Sequence, residues 1–241
     1  ALISFGPSIE LMGDFDHRNI LQDWQARPGF QVELRRSTYL NANHGEMFER
    51  FDGINFRRND SWVGGHSEYF KFVTLDGGTS WGTRINYSTP SGVAAFLGRG
   101  REVNVNLTFR PSSRIKIDEI YDLTRLRTMG AHSQAVFVNH LLRSRLNFQY
   151  NRQLSLRVII DYNALLNNAA LFDADRQKRV TGDILLTWLL NPGTALYLGY
   201  TDTLENQALL AGIPNTVVRT NLPSVTTQRQ FFAKISYLFR F

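Results

Sequence analysis

The chain has 241 residues, 43% of them hydrophobic and 12% aromatic, with 17 Phe, 9 Tyr and 4 Trp, which is ample for one large all-β domain. A formal net charge of +6 suits an anionic partner, but acids lie between the bases along the chain and no basic run forms a nucleic-acid patch. The lack of cysteine excludes disulfide frameworks and thiolate metal sites, and no apolar run approaches the ~18 residues of a membrane helix, the longest being Ile184 to Leu190.

From the first residues, Ile3, Phe5, Pro7, Ile9 and Leu11 alternate with Ser4, Gly6, Ser8, Glu10 and Met12, which reads as a strand already in progress. Residue 1 is not Met and no cleavable signal precedes it, so the chain is expected to be a mature or truncated product. A polar turn at residues 14–19 leads to a weaker strand from Ile20 to Ala26, and Arg27-Pro28-Gly29 reads as a turn. Phe30, Val32 and Leu34 oppose Gln31, Glu33 and Arg35 in the next strand, which fades near Asn43. Residues His44 to Gly65 carry acids, bases and aromatics without a period and read as a long loop.

Tyr69 to Leu75 is apolar enough for a strand, and Asp76-Gly77-Gly78 is a hairpin signal. Thr83, Ile85 and Tyr87 follow on one face, with Arg84, Asn86 and Ser88 on the other, and a Gly- and Arg-containing loop spans Ser91 to Arg101. Val103, Val105, Leu107 and Phe109 then face away from Glu102, Asn104, Asn106 and Arg110. A turn at residues 111–113 opens Ile115, Ile117, Tyr121 and Leu123 against Lys116, Asp118 and Asp122; Glu119 falls on the apolar side of that register, where an ionised carboxylate is costly.

The strand from Ala135 to Tyr150 sets Leu142, Leu146 and Phe148 against Arg143, Arg145 and Asn147, and a turn at residues 151–153 follows. Leu154, Leu156, Val158 and Ile160 oppose Ser155, Arg157 and Asp161 in the cleanest period of the chain. Ile184, Leu186 and Trp188 oppose Asp183 and Thr187 before Asn191-Pro192-Gly193 reverses direction. After a penultimate strand at residues 194–203 and a long connection, Phe231, Ile235, Tyr237, Phe239 and Phe241 alternate with Gln230, Lys234 and Ser236 to the last residue. A tilted membrane strand needs about 9–11 residues with aromatics at both interfaces, and this segment supplies them.

Short turns thus alternate with longer connections, the asymmetry of an outer-membrane barrel. The expected fold is all-β: a transmembrane up-and-down antiparallel β-barrel of about 12 strands, within about 10–14, forming a single domain over the whole chain. If strands precede Ala1, it is the C-terminal part of a larger barrel. A mean hydropathy of -0.25 is compatible with this, because half of each barrel strand faces a polar lumen.

The block Lys178 to Asp202, with its Asn191-Pro192-Gly193-Thr194 turn, the segment Asn139 to Tyr150 and the ending Lys234 to Phe241 resemble a bacterial family of unknown function. Its longer members look like an N-terminal carbohydrate-binding-module-like domain followed by a C-terminal outer-membrane barrel. The resemblance implies a barrel and transfers no catalytic residue.

Searched for enzyme motifs, the sequence shows no His-Glu-x-x-His, no Gly-x-Ser-x-Gly and no glycine-rich phosphate loop, and His17, His44, His66, His132 and His140 lack metal-ligand spacing. No catalytic, cofactor or metal site is expected. The inward set is Arg84, Asn86, Glu102, Asn104, Asn106, Arg110, Lys116, Asp118, Asp122, Arg143, Arg145, Arg157, Asp161, Asp183 and Lys234, lining either a water-filled channel or a salt-bridged plug. The lipid-facing set is Val103, Val105, Leu107, Phe109, Leu154, Leu156, Val158, Ile160, Ile184, Leu186, Trp188, Phe231, Ile235, Tyr237, Phe239 and Phe241.

The function expected is a non-enzymatic barrel of the bacterial outer membrane, a pore or surface scaffold. Its partners would be outer-membrane lipid and lipopolysaccharide, the barrel-assembly machinery through the C-terminal strand and, for a pore, a small solute, with no nucleic acid. The alternatives are a soluble β-sandwich or lipocalin-like binder, and a barrel-embedded hydrolase using a pair such as Ser144 with His140.

Overall fold

The computed structural model describes residues 2–191 and 193–238; Phe239 and Phe241, expected on the lipid face, lie outside them. Among the described residues there is no helix, and the strands run β1 (Leu2–Phe15), β2 (Leu21–Leu34), β3 (Thr38–Phe51), β4 (Ile54–Phe70), β5 (Val73–Asn86), β6 (Phe96–Ser112) and β7 (Ile115–Thr128). They continue as β8 (Ala135–Gln149), β9 (Leu154–Asn167), β10 (Gln177–Asn191), β11 (Thr194–Glu205), β12 (Gln207–Leu210), β13 (Thr216–Arg219) and β14 (Val225–Tyr237).

Twelve strands form one sheet in the order β1 to β11 and then β14, while β12 and β13 make a separate hairpin. This is the up-and-down antiparallel order and the strand number expected from the sequence. At one end of the strands the connections are two to four residues long, as at 35–37, 71–72, 113–114 and 150–153. At the other end they reach nine residues at 87–95 and 168–176, and 206–224 carries the β12–β13 hairpin. We call these the short-turn end and the long-loop end.

Three expected features of the first third are corrected. Arg27-Pro28-Gly29 does not turn the chain: β2 runs through it, with Ile9 opposite Pro28. Proline lacks the N–H that a ladder needs, and the β2–β3 pairing is interrupted there, passing from Ala26 opposite Glu46 to Gly29 opposite Asn43. Asp76-Gly77-Gly78 is likewise mid-strand, opposite His66, Gly65 and Gly64. Neither glycine has the positive φ that a two-residue hairpin turn demands.

The stretch His44 to Gly65 is no loop but most of β3 and β4, closed by Asp52-Gly53 at φ of 49° and 74°. Two consecutive positive φ values are the signature of a type I′ turn, and Asp-Gly is its preferred sequence. The period is hard to see here because the faces change character toward the long-loop end. Met47 and Phe56 are buried on one face, while His44, Glu46 and Arg57 are exposed on the other.

The chain divides into two compact units. The first comprises residues 2–105, 122–139 and 165–175. In it the register sets Phe5, Pro7, Ile9 and Leu11 beside Val32, Phe30, Pro28 and Ala26, and then Leu40 and Ala42 beside Gly65 and Val63, all on one apolar face. The other face carries Glu10 opposite Arg27 and Ser8 opposite Gly29. Period-two alternation puts each set on its own side.

Gly64 pairs with Gly78 and Gly65 with Gly77, so two glycine pairs sit side by side on β4 and β5. On the polar face the Trp62 indole covers Gly64 and Gly78, leaving an added Cβ only 2.7 and 2.5 Å from its ring. Its Nε1–H donates to Asn41 Oδ1 at 3.0 Å.

The second unit comprises residues 106–121, 140–164 and 176–238. Ile184, Leu186 and Trp188 face Tyr200, Leu198 and Leu196, which face Phe231, Ala233 and Ile235. The opposite face aligns Asp183, Thr201 and Gln230, then Thr187, Tyr197 and Lys234. Phe232 shares that polar face and lays its ring on Gly199, where no side chain could fit. Phe231 and Ile235 are 72% and 73% exposed, so the apolar side of β14 packs into no interior.

Gly78→Val is expected to lower stability by about 1–3 kcal/mol, because the new side chain must displace the Trp62 ring. Gly182→Ala, with open space around it, is expected to be near neutral. A denaturant titration followed by tryptophan fluorescence compares the two.

Candidate functional site on the polar face

In the first unit the polar face is organised around Asp60, which is 7% exposed. Arg27 Nη2 lies 3.6 Å from Asp60 Oδ1, and Arg84 Nη2 lies 3.4 Å from Asp60 Oδ2. Arg84 continues to Glu102 at 3.7 Å and to the Ser80 hydroxyl at 3.1 Å. The space for this cluster comes from Gly45, where a Cβ would strike both Asp60 and the Met47 methyl. A desolvated carboxylate held between two guanidiniums is stable only while both remain.

Toward the long-loop end, Arg58 pairs with Glu49 at 3.1 Å, and the Tyr87 hydroxyl donates to Glu49 at 2.5 Å. Burial and the Glu49 carboxylate push the Tyr87 phenol up to about 12, so it stays a donor at any physiological pH. Beside it the β9–β10 connection folds onto the same face. Asn86, 2% exposed, donates from Nδ2 to Leu171 O at 2.7 Å, the Asp173 N–H donates to Ser88 O at 2.9 Å, and the Phe172 ring packs on Phe137 at 4.7 Å.

In the second unit Arg143 grips Asp161 with two hydrogen bonds, of 2.5 and 3.1 Å. Thr201 donates to Asp183, and Asp118 accepts from Thr108 at 2.7 Å with Lys116 Nζ at 2.9 Å. Arg179 and Arg219 both reach Glu205, at 2.7 and 3.4 Å. Asn206, fully buried, ties the long connection down by accepting from the Lys178 N–H at 2.6 Å and donating to Thr220 O at 2.8 Å.

Two hollows open on this face. One of about 460 Å³ is bordered by Arg110, Lys116, Asn147, Ser155, Arg157 and Thr187; the other, of about 260 Å³, by Asn106, Thr108, Lys116, Asp118, Arg143 and Arg145. Lys116 borders both. Arg110 and Arg157 have neither a hydrogen bond nor an ion pair among the described residues, whereas Arg143, Lys116 and Arg179 are all matched by acids. The larger hollow therefore presents uncompensated positive charge, the condition under which a polar lining attracts anions.

The fold brings Arg84 to Glu102 and Arg143 to Asp161, four residues expected on the inward face whose pairing the sequence left open. Arg27, Glu49, Arg58 and Asp60 were missed, because their strands read as turn and loop. Lys234 lies 6.0 Å over the Tyr197 ring rather than beside an acid.

Glu119, the carboxylate on the apolar side of β7, accepts a hydrogen bond from the Ser144 hydroxyl. The Ser144–His140 dyad is thereby dissolved. Four residues apart on one strand, the two are separated by about 13 Å, and His140 instead meets the Tyr121 hydroxyl at 3.1 Å. His44 bonds Ser61 and His66 stacks on Tyr39, so the histidines are dispersed. No cluster of three or more metal-binding side chains occurs among the described residues.

No family model and no curated protein sequence matches the chain. Among solved structures, a NanC porin is 11% identical over 99% of this chain and 100% of its own, with a TM-score of 0.39. The beta domain of the Bordetella autotransporter Brka is 13% identical over 98% and 99%, with a TM-score of 0.26. The chain's structural neighbours thus include two outer-membrane β-barrel proteins, related too distantly for their activities to be carried across.

Asp60→Ala should destabilise the first unit by about 3–5 kcal/mol, since two cations lose their acid at once. Replacing Arg27 and Arg84 by Met in the same chain should recover most of that loss. Unfolding midpoints of the single and triple variants provide the check.

Proposed function

We propose that the chain is a β-barrel of the bacterial outer membrane whose polar face is the lumen, and that it passes small polar solutes with a preference for anions. One observation carries the membrane part. The apolar face of each unit is unpaired hydrocarbon, from Ile9 and Leu11 at 68% and 70% exposure to Phe231 and Ile235. A contiguous surface of that kind in water would drive aggregation, whereas in lipid it is solvated. Strands can span lipid only when every backbone group is paired, so the two strands at the ends of the order, β1 and β14, must gain partners as the wall closes.

The long-loop end then faces the exterior and the short-turn end the periplasm. A soluble sandwich or lipocalin-like binder would need the apolar face inside and is the weaker reading. The resemblance to the family of unknown function adds the barrel and no activity.

A closed scaffold is the second reading, favoured by the β9–β10 connection that Asn86 holds across the polar face and by the many matched ion pairs.

Reconstituted into planar bilayers under a salt gradient, the protein should conduct with a reversal potential on the anion side. Arg110→Glu with Arg157→Glu should move that potential toward cation selectivity, and Asn86→Ala should raise conductance by freeing the connection. No conductance from wild type or the Asn86 variant would favour the scaffold. A chain monodisperse in detergent-free buffer would remove the membrane reading itself.

A further inference from the structure

The positive charge on the polar face is mostly matched, but a second group of arginines stands on the apolar face of the first unit. On β6, a Cβ at Gly98 or Gly100 would meet Leu126 or Arg84, and Glu102 pairs with Arg84, so these three point to the polar side. Arg99 and Arg101 alternate with them and extend the line of Val103 and Val105 toward the long-loop end. Leu126 lies at Gly98, so Arg125 falls on the apolar side of β7 above Leu123; Arg57 does so on β4, next to Arg58, which pairs with Glu49.

All four are exposed, and none has a hydrogen bond or ion pair among the described residues. The acid on the same side of β3, Glu46, is engaged by His44 at 3.2 Å. Trp81, 47% exposed, stands beside them, its neighbour Ser80 bonding Glu102. An amphipathic indole next to cations marks the level of lipid headgroups.

Below them, toward the short-turn end, the same face holds a groove of about 420 Å³. Leu40, Val63, Leu75 and Val105 form its walls, and the Gly65–Gly77 pair forms its floor. The glycines are fixed: a Cβ at Gly65 would collide with Tyr39 O, and one at Gly77 with Asn104 O. On the polar side Trp62 covers both companion glycines, whereas on the apolar side Leu40 Cδ2 reaches over Gly65 and the atoms nearest a Cβ at Gly77 are all backbone. Arg101 stands four residues above Val105, about 13 Å along the strand.

We propose that this face is a binding site for a phosphorylated, multiply acylated glycolipid of the outer leaflet, with its phosphates on Arg99, Arg101 and Arg125 and one acyl chain in the glycine-floored groove. The assignment rests on the membrane reading above, which places the long-loop end in the outer leaflet. Planar guanidiniums bind phosphate with paired hydrogen bonds, which suits arginine to this task. The groove admits a chain of methylenes that a phosphate alone would leave empty.

The test uses the refolded chain in detergent micelles and a hexa-acylated diglucosamine bisphosphate lipid, read by native mass spectrometry. Wild type should retain the lipid, and Arg99→Gln with Arg101→Gln and Arg125→Gln should weaken retention about a hundredfold, near fivefold per arginine. Leu75→Trp, which fills the groove and leaves the arginines, should also weaken it. The same lipid stripped of phosphates should bind wild type no better than the triple variant binds the intact lipid. Equal retention by wild type and triple variant, both showing folded electrophoretic mobility, would overturn the site. Inorganic phosphate binding as tightly as the lipid would overturn the lipid assignment in favour of a free-phosphate site. A chain that inserts into vesicles yet ignores the phosphates refutes only this site; one that never inserts refutes the membrane reading and the site together.

Discussion

Side chains on a strand point alternately to opposite faces, and a strand that slips by one residue exchanges its two faces completely. For β14 such a slip would put Gln230 and Lys234 where Phe231 and Ile235 now stand. An apolar face is favoured beside hydrocarbon, and a polar face beside water or counter-charges. Neither can be exchanged locally, so register is held by both at once. The ion pairs add to this: Asp60 reaches Arg27 on β2 and Arg84 on β5 only in the observed register, and the same holds for Arg143 and Asp161 on β8 and β9.

Glycine plays a positional part in this wall. Where Gly64 and Gly65 meet Gly78 and Gly77, the strands carry no side chains on either face over two residue pairs. The sheet uses the two sides differently. Trp62, held by Asn41, covers the polar side, and the apolar side keeps a groove. At Gly199 the Phe232 ring does what Trp62 does, which explains why an aromatic residue sits among the polar positions of the last strand. In both places a missing side chain on one strand is compensated by an aromatic ring from its neighbour.

The surplus of cations in the composition is not spread evenly over the structure. Many of the bases on the polar face are matched by acids, whereas Arg110 and Arg157, which are not, border the larger of the two hollows described there. Arginines on the apolar face gather instead where hydrocarbon side chains stop, at the long-loop side of Val103 and Leu123. Charge in this protein is thus ordered by height along the strand as well as by face. A sequence average of +6 hides that order.

Strand character, the two-face pattern from Val103 onward, the turns near residues 113 and 152 and the strand number were legible in the amino-acid sequence, because alternation and turn chemistry are local properties of a few neighbouring residues. The first third was less legible. Arg27-Pro28-Gly29 and Asp76-Gly77-Gly78 carry turn residues inside strands, and β3 and β4 lose their apolar period where His44, Glu46 and Arg57 take one face and the few apolar residues, Met47 and Phe56, the other, so that Asp52-Gly53 was the true hairpin signal. Tertiary structure alone decided which charges meet: Asp60 with Arg27 and Arg84, Glu205 with Arg179 and Arg219, the 168–175 segment with Asn86. Those partners are 14 to 85 residues apart. Only the register between strands and the path of the long connections bring them within bonding distance, and neither is encoded in any short window of the chain.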